Sequence, residues 1–165
     1  MKHLRKQIAG YLLTLILLMA GIVFPGSGEK VLASGGSMTV HFLDVGQGLS
    51  ILVQSEGQNL LYDGGPRSAS SYVVSYLQEQ NVSEIDYLIS SHYDEDHVSG
   101  LIGCLNAFQV DNVIGADYIH DSSLYGSFMD AVAAHGLEVQ HPAVGAEYTS
   151  VSYTHLRAHE TGAYL

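Results

Sequence analysis

A run of six residues, Ile85–Ser90, constrains this chain more than any other stretch. It predicts a strand with apolar side chains on both faces, so the strand lies at the centre of a sheet. The run breaks at the decapeptide Ser91-His-Tyr-Asp-Glu-Asp-His-Val-Ser-Gly100, which puts His92, Asp94, Asp96 and His97 within six residues. Imidazole and carboxylate together are the ligand set for Zn²⁺ and also suit Mn²⁺ or Fe. Alternate residues of a short extended turn reach one point, and the adjacent Asp-His pair reaches a second. Four such residues on one loop point to a two-metal hydrolytic site rather than one structural ion.

Two plainer readings compete with that one. A calcium loop fails, because Val98 stands where an oxygen ligand belongs and no acidic residue closes the loop. A solvated acidic turn has no need of two flanking histidines or of the Val-Ser-Gly that follows. The remaining histidines read as structural: His41 on a strand, His120 and His141 near turns, and His135 at a helix end where a cation suits the dipole. The lone cysteine, Cys104, excludes an intramolecular disulfide framework and a thiolate cluster. Among Leu101, Ile102 and Leu105 it reads as a small buried apolar residue.

Around the central strand the chain alternates strand and helix signals. Thr39–Leu43 predicts a strand ending at Asp44, followed by the permissive turn Val45–Gly48. Leu49–Gln54 and Asn59–Asp63 predict a hairpin about the turn Ser55–Gly57. Ser68 or Ser70 caps a helix carrying Tyr72, Val73, Tyr76 and Leu77 to about Gln80. Ser99–Phe108 predicts a short helix and Val110–Ile114 a strand. Asp121 or Ser122 caps a further helix with Leu124, Phe128, Met129 and Val132 on one face, stopped by Gly136; Leu137–Gln140 predicts a short strand. With 165 residues, 47% of them hydrophobic, the chain has material for one ordinary core.

The N-terminus has the pattern of a targeting segment. Lys2, Arg5 and Lys6 precede the apolar stretch Ile8–Phe24, and Val31 and Ala33 form a small-residue cleavage signal. A cleaved signal peptide is the first reading of residues 1–33 and an uncleaved membrane anchor the second, with residues 34–37 as linker. Both put the rest of the chain outside the cell or on the outer face of the cytoplasmic membrane. Beyond residue 33 only Arg67 and Arg157 oppose sixteen acidic residues, a formal charge of −14. Such a surface repels phosphate backbones, so charge does not favour a nucleic-acid partner.

Three motifs in order, Phe42-Leu-Asp-Val-Gly-Gln-Gly48, Leu61-Tyr-Asp-Gly-Gly65 and the decapeptide, resemble the metallo-β-lactamase-fold hydrolases. The likeness is to the branch that includes the extracellular hydrolase domain of bacterial competence proteins, and it covers about residues 38–150. It implies an α/β (α+β) fold, the N-terminal half of an αββα sandwich, here preceded by the N-terminal hydrophobic helix. It further implies two divalent metal ions, Zn or Mn with Fe as another option. His92 and Asp94 then serve the first ion, and Asp96 and His97 the second. Asp96 also orients the attacking water, and Asp63 supports the ligand loop from behind. The implied substrate is a small molecule or a phosphodiester.

The chain departs from that family pattern. Asp94 stands at the usual second histidine, which tilts the first site toward Mn²⁺ or Fe. Leu49 stands where the competence branch has an acid. The family's remaining ligands, a bridging Asp and a late His, fall in the second half of the sandwich, past residue 165. Residues 151–165 resemble a translated sequencing-adaptor read-through and read as a non-native tail, in which His155 and His159 are four apart but not a metal pair. The alternative to an exported hydrolase is therefore a catalytically incomplete metal-binding fragment.

Overall fold

Six short strands form one sheet in chain order: β1 (Met38–Phe42), β2 (Ile51–Ser55), β3 (Gln58–Tyr62), β4 (Glu84–Ser90), β5 (Gln109–Gly115) and β6 (Val139–Gln140). The computed structural model describes residues 37–150 and 154–157. The first three strands pair antiparallel, and β3 to β6 pair parallel. Glu56 and Gly57 turn the β2–β3 hairpin with φ of 50° and 87°, the left-handed pair that a two-residue turn of matching twist requires.

Three helices make the parallel crossovers: α1 (Ser70–Glu79), α2 (Glu95–Ala107) and α3 (Ser123–Ala134). Each links neighbouring strands in the same direction along the sheet. Right-handed crossovers then put all three on one face, with α2 packed between α1 and α3. The face they cover is the register row His41, Leu52, Leu61, Leu88 and Val113. Leu52, Leu61, Leu88 and Val113 are fully buried, as are Val73 and Leu77 of α1, Val98 and Leu101 of α2, and Phe128 of α3. Cys104 is also fully buried, and burial pushes its thiol up to about 12, which keeps it protonated and inert.

The central place expected for Ile85–Ser90 holds, since β4 lies between β3 and β5. The third helix is capped by Ser122, whose side chain accepts from the Tyr125 backbone N–H at 3.1 Å. The largest difference concerns α2. Sequence periodicity puts its start at Ser99, but the helix begins at Glu95. Asp94 is extended and sits at the cap position, and Glu95 and Asp96 fill the first turn, where negative charge suits the helix dipole. The decapeptide is therefore half loop and half helix, and Asp96 and His97 lie on the helix rather than on a loop.

Glu147–Ser150 (β7) and Thr154–Arg157 (β8) pair antiparallel as a separate two-stranded sheet. The latter strand lies within the stretch read as a non-native tail. The N-terminal segment 1–33 and most of the linker fall outside the described residues. No helix among the described residues is long and apolar enough to cross a membrane.

Candidate metal centre

Strands β1, β3, β4 and β5 all run in one direction, so their carboxyl ends share one edge of the sheet. Ligand sites of open α/β sheets form at such edges. Asp63 follows β3 directly, His92 lies two residues past β4, and the segment 116–122 follows β5.

Asp63 is fully buried and adopts φ of 56°, a left-handed conformation that a non-glycine residue holds only where its surroundings fix it. Its N–H donates to the Ile89 carbonyl at 2.9 Å. Oδ1 accepts from the Ser91 N–H at 2.8 Å, and Oδ2 accepts from the Ser91 hydroxyl at 2.6 Å. The same Oδ2 lies 2.8 Å from His97 Nδ1. A carboxylate offers only lone pairs, so His97 Nδ1 carries the proton and Nε2 is left with a free lone pair.

Ser91 extends that logic to the second ring. Its single hydroxyl proton goes to Asp63, so its contact with His92 Nδ1 at 2.8 Å runs from Nδ1–H to the hydroxyl oxygen. His92 Nε2 is thereby freed as well. One buried carboxylate thus sets both tautomers, His97 directly and His92 through Ser91. The same charge acts on Tyr62, whose hydroxyl is raised above its usual range by burial first and by Asp63 second, against a lowering bond from Ser91.

The freed nitrogens face the aspartates. His92 Nε2 is 3.5 Å from Asp94 Oδ2, His97 Nε2 is 3.9 Å from Asp96 Oδ2, and the two rings lie 4.0 Å apart between centroids. Asp94 occupies the helix cap position yet makes no capping bond with its side chain, so its carboxylate stays available. Glu95, between the two aspartates, is committed elsewhere: Oε1 accepts from the Arg67 N–H at 3.0 Å. The spacing at Asp94 exceeds a good hydrogen bond. It matches the edge of a tetrahedron with metal bonds of about 2.0–2.1 Å, which is about 3.4 Å. Two imidazole–carboxylate pairs of this kind fit divalent ions in donor chemistry. Among the described residues, however, no group of three or more His, Cys, Asp or Glu converges as a complete ligand set.

Two residues beside these pairs, Ser91 and His120, carried no site role in the sequence reading. Ser91 was part of the motif but without a role, and nothing in a serine before a histidine marks it as a relay. His120 read as structural near a turn, yet its Nε2 lies 3.5 Å from Asp94 Oδ1. The segment carrying it is held by an aromatic cluster. Tyr93 is fully buried, stacks edge-on against Tyr118 and Tyr125, and donates its hydroxyl to the Ala116 carbonyl at 2.8 Å. Burial, then the neighbouring Tyr125, Tyr118 and Asp117, push its phenol up to about 12. The turn Val45–Gly48 has a packing role here: Gly48, at φ of 98°, lies so close to the Asp96 carbonyl that a Cβ would collide with it.

Comparison with known proteins gives the same neighbourhood. A family model described as the metallo-beta-lactamase superfamily matches residues 43–153. The chain is 38% identical over 86 residues to the competence protein ComA of Neisseria gonorrhoeae, covering 52% of this chain and 12% of that protein. It is 38% identical over 74 residues to recombination protein 2 of Haemophilus influenzae, covering 42% of this chain and 9% of that protein. The chain thus spans only a small part of either relative. Among solved structures, it is similar to the metallo-beta-lactamase SMB-1 in complex with mercaptoacetic acid (TM-score 0.54, 17% identity, 73% of this chain and 49% of that one). It is also similar to the Rm3 metallo-beta-lactamase (TM-score 0.53, 16% identity, 73% and 48%). Likeness at these identities is one of fold.

Proposed function

The chain belongs to the metallo-beta-lactamase superfamily, and from that membership we propose that it forms part of an exported metal-dependent hydrolase cleaving a phosphodiester or another ester. One observation carries the proposal: two imidazoles with Nε2 freed by their Nδ1 bonds each stand beside an aspartate at the sheet's carboxyl edge. His92 and Asp94 would hold one ion and Asp96 and His97 another, with Zn²⁺ or Mn²⁺ the best match and Fe compatible. Bound divalent ions supply Lewis acidity, acidifying a water and polarising the ester. Asp96 orients the attacking water by accepting its hydrogen bond. Asp63 and Ser91 keep both rings turned and their free nitrogens forward.

Two features support the finer parts of this reading. The basic and apolar N-terminal pattern supports export, with the chain outside the cell or on the outer face of the membrane. The names of the relatives, a competence protein and a recombination protein, favour a phosphodiester among the esters. The formal charge of −14 beyond residue 33 works against nucleic-acid affinity, so a polyanion would depend on bound cations for its hold.

A second reading has its own observation. No three ligands converge among the described residues, which favours a metal-binding piece that does not turn over substrate alone. One experiment separates the two. The purified protein is incubated with bis-p-nitrophenyl phosphate or DNA in Mn²⁺ or Zn²⁺, beside its Asp96→Ala and His97→Ala variants. The hydrolase reading expects cleavage that both variants lose, and cleavage surviving both changes sinks it. Bound metal by mass spectrometry without cleavage favours the second reading.

A further inference from the structure

The segment between β5 and α3 displays apolar side chains at the rim of the candidate metal centre. Ile119 is 87% exposed and Tyr118 43%, within a stretch flanked by Asp117 and Asp121. An exposed isoleucine is ordinary by itself. This one lies between two residues that both reach the loop carrying His92 and Asp94. Tyr118 Oη accepts from the Tyr93 N–H at 3.2 Å, and His120 Nε2 is 3.5 Å from Asp94 Oδ1. We propose that Tyr118 and Ile119 form a substrate platform, on which a flat apolar group attached to the scissile ester, such as an aryl ring, packs beside the His92–His97 motif. The inference rests on the hydrolase reading above and deepens it by naming the class of group next to the ester.

The platform is held at both ends before any substrate arrives. At the start, the Ala116 carbonyl accepts from the Tyr93 hydroxyl at 2.8 Å, and the buried Tyr93 ring stands edge-on to Tyr118 with centroids 5.2 Å apart. At the end, His120 Nδ1 lies 2.9 Å from the hydroxyl of Ser122, the residue that caps α3. A surface fixed in this way loses little further freedom when a ligand packs on it. Tyr118 uses its hydroxyl on the ligand loop, which leaves the ring as its contact surface. The His120 ring stands 6.4 Å away at 59°, so a second aromatic face adjoins the first. Aromatic faces take a flat ring by stacking, and Ile119 adds apolar contact at the tip. The charges of Asp117 and Asp121 repel a further anionic group, so the rim suits an uncharged flat one.

The test compares two esters that share one leaving group. The full chain in Mn²⁺ is given bis-p-nitrophenyl phosphate and methyl p-nitrophenyl phosphate, which differ only in the second ester group. Tyr118→Leu should lower kcat/KM for the diaryl ester by about 5- to 100-fold, mostly through KM, as for a lost stacking partner. Ile119→Ser should lower it by about threefold or more. Both variants leave the methyl ester unchanged, and Tyr72→Leu, which removes a similarly exposed ring from α1, changes neither ester. Circular dichroism verifies that each variant is folded. A readout without turnover uses the Zn²⁺-loaded chain with ¹³C-methyl isoleucine. Phenylphosphonate should move the Ile119 δ1 methyl signal, assigned by its loss in Ile119→Ser, and methylphosphonate should not. Equal losses on both esters, or an Ile119 methyl that phenylphosphonate leaves in place, overturns the platform while the hydrolase reading stands. No cleavage of either ester by the wild type overturns the hydrolase reading and this inference together.

Discussion

Asp63 does more at this site than its position behind the ligands suggests. A buried carboxylate is costly unless its lone pairs are used, and here Ser91 and His97 use them. The left-handed backbone at φ of 56° aims both oxygens at the same loop. Asparagine tolerates that conformation at least as well, so Asp63→Asn isolates the charge from the fold. Its amide N–H₂ would face Ser91 or His97, donor against donor, and His97 would have to surrender its Nδ1 proton. We expect metal affinity to fall by about 10- to 100-fold, as it does when an outer partner of a ligating histidine is lost. Stability should fall by about 1–3 kcal/mol from the broken charge-assisted bonds. Calorimetry and a urea melt measure the two effects separately, and an unchanged metal affinity would show that Asp63 only shapes the backbone.

Helix α2 carries Asp96 and His97, half of the proposed ligands, and its packing decides where they point. Its first turn rests on the segment after β3: the Gly64 N–H reaches the His97 carbonyl at 2.7 Å, and the Gly100 N–H reaches the Gly65 carbonyl at 3.0 Å. Gly64 and Gly100 touch backbone to backbone, with no room for a Cβ on either. Gly100→Ala therefore cannot be relieved by a rotamer change and must push α2 off β3. The expected cost is at least about 2 kcal/mol, within the range of overpacked cores, seen as a lower urea midpoint. Metal binding should weaken with it, because Asp96 and His97 move with the helix.

The same helix shows what the sequence could and could not reveal. Its buried stripe, Val98, Leu101 and Leu105, has helical period and was legible. Its first turn, Glu95 to His97, is polar and carries no periodicity, so the start read four residues late. An extended Asp followed by two acids is the signal that would have corrected it. Strands β1 to β6 were legible, β4 from its apolar run and the β2–β3 hairpin from the turn at Gly57, whereas β7 and β8 were not read as strands. The pairing of His92 with Asp94 and of Asp96 with His97 is local, so the motif displayed it. His120 is 26 positions from Asp94, and only the parallel β4–β5 pairing brings them to one edge. No spacing rule within the sequence encodes that meeting.

At the scale of the whole molecule, the sheet has two apolar faces and the helices cover one. The second face follows the register rows Val40, Val53, Leu60, Tyr87 and Phe42, Ile51, Tyr62, Ile89, Ile114. Toward β5 this face is covered, with Ile114 buried, and Tyr148 of β7 meets the Tyr87 ring at 6.2 Å. Toward β1 it is open: Met38, Val40 and Phe42 are 56%, 39% and 76% exposed. Among the described residues β1 is also an edge strand, so an apolar face and a row of backbone groups without a neighbouring strand coincide there. A sandwich fold sets a second sheet against such a face, and a patch of this kind left open drives association between chains. The purified chain should therefore self-associate as its concentration rises. Replacing Val40 and Phe42 together by threonine keeps strand propensity while removing most of the exposed apolar area. Sedimentation velocity should then show a shift toward monomer, with an unchanged circular dichroism spectrum and unchanged metal binding, because the changes lie on the face away from the helices. A sedimentation profile identical to that of the wild type would mean that β1 is covered within the chain itself.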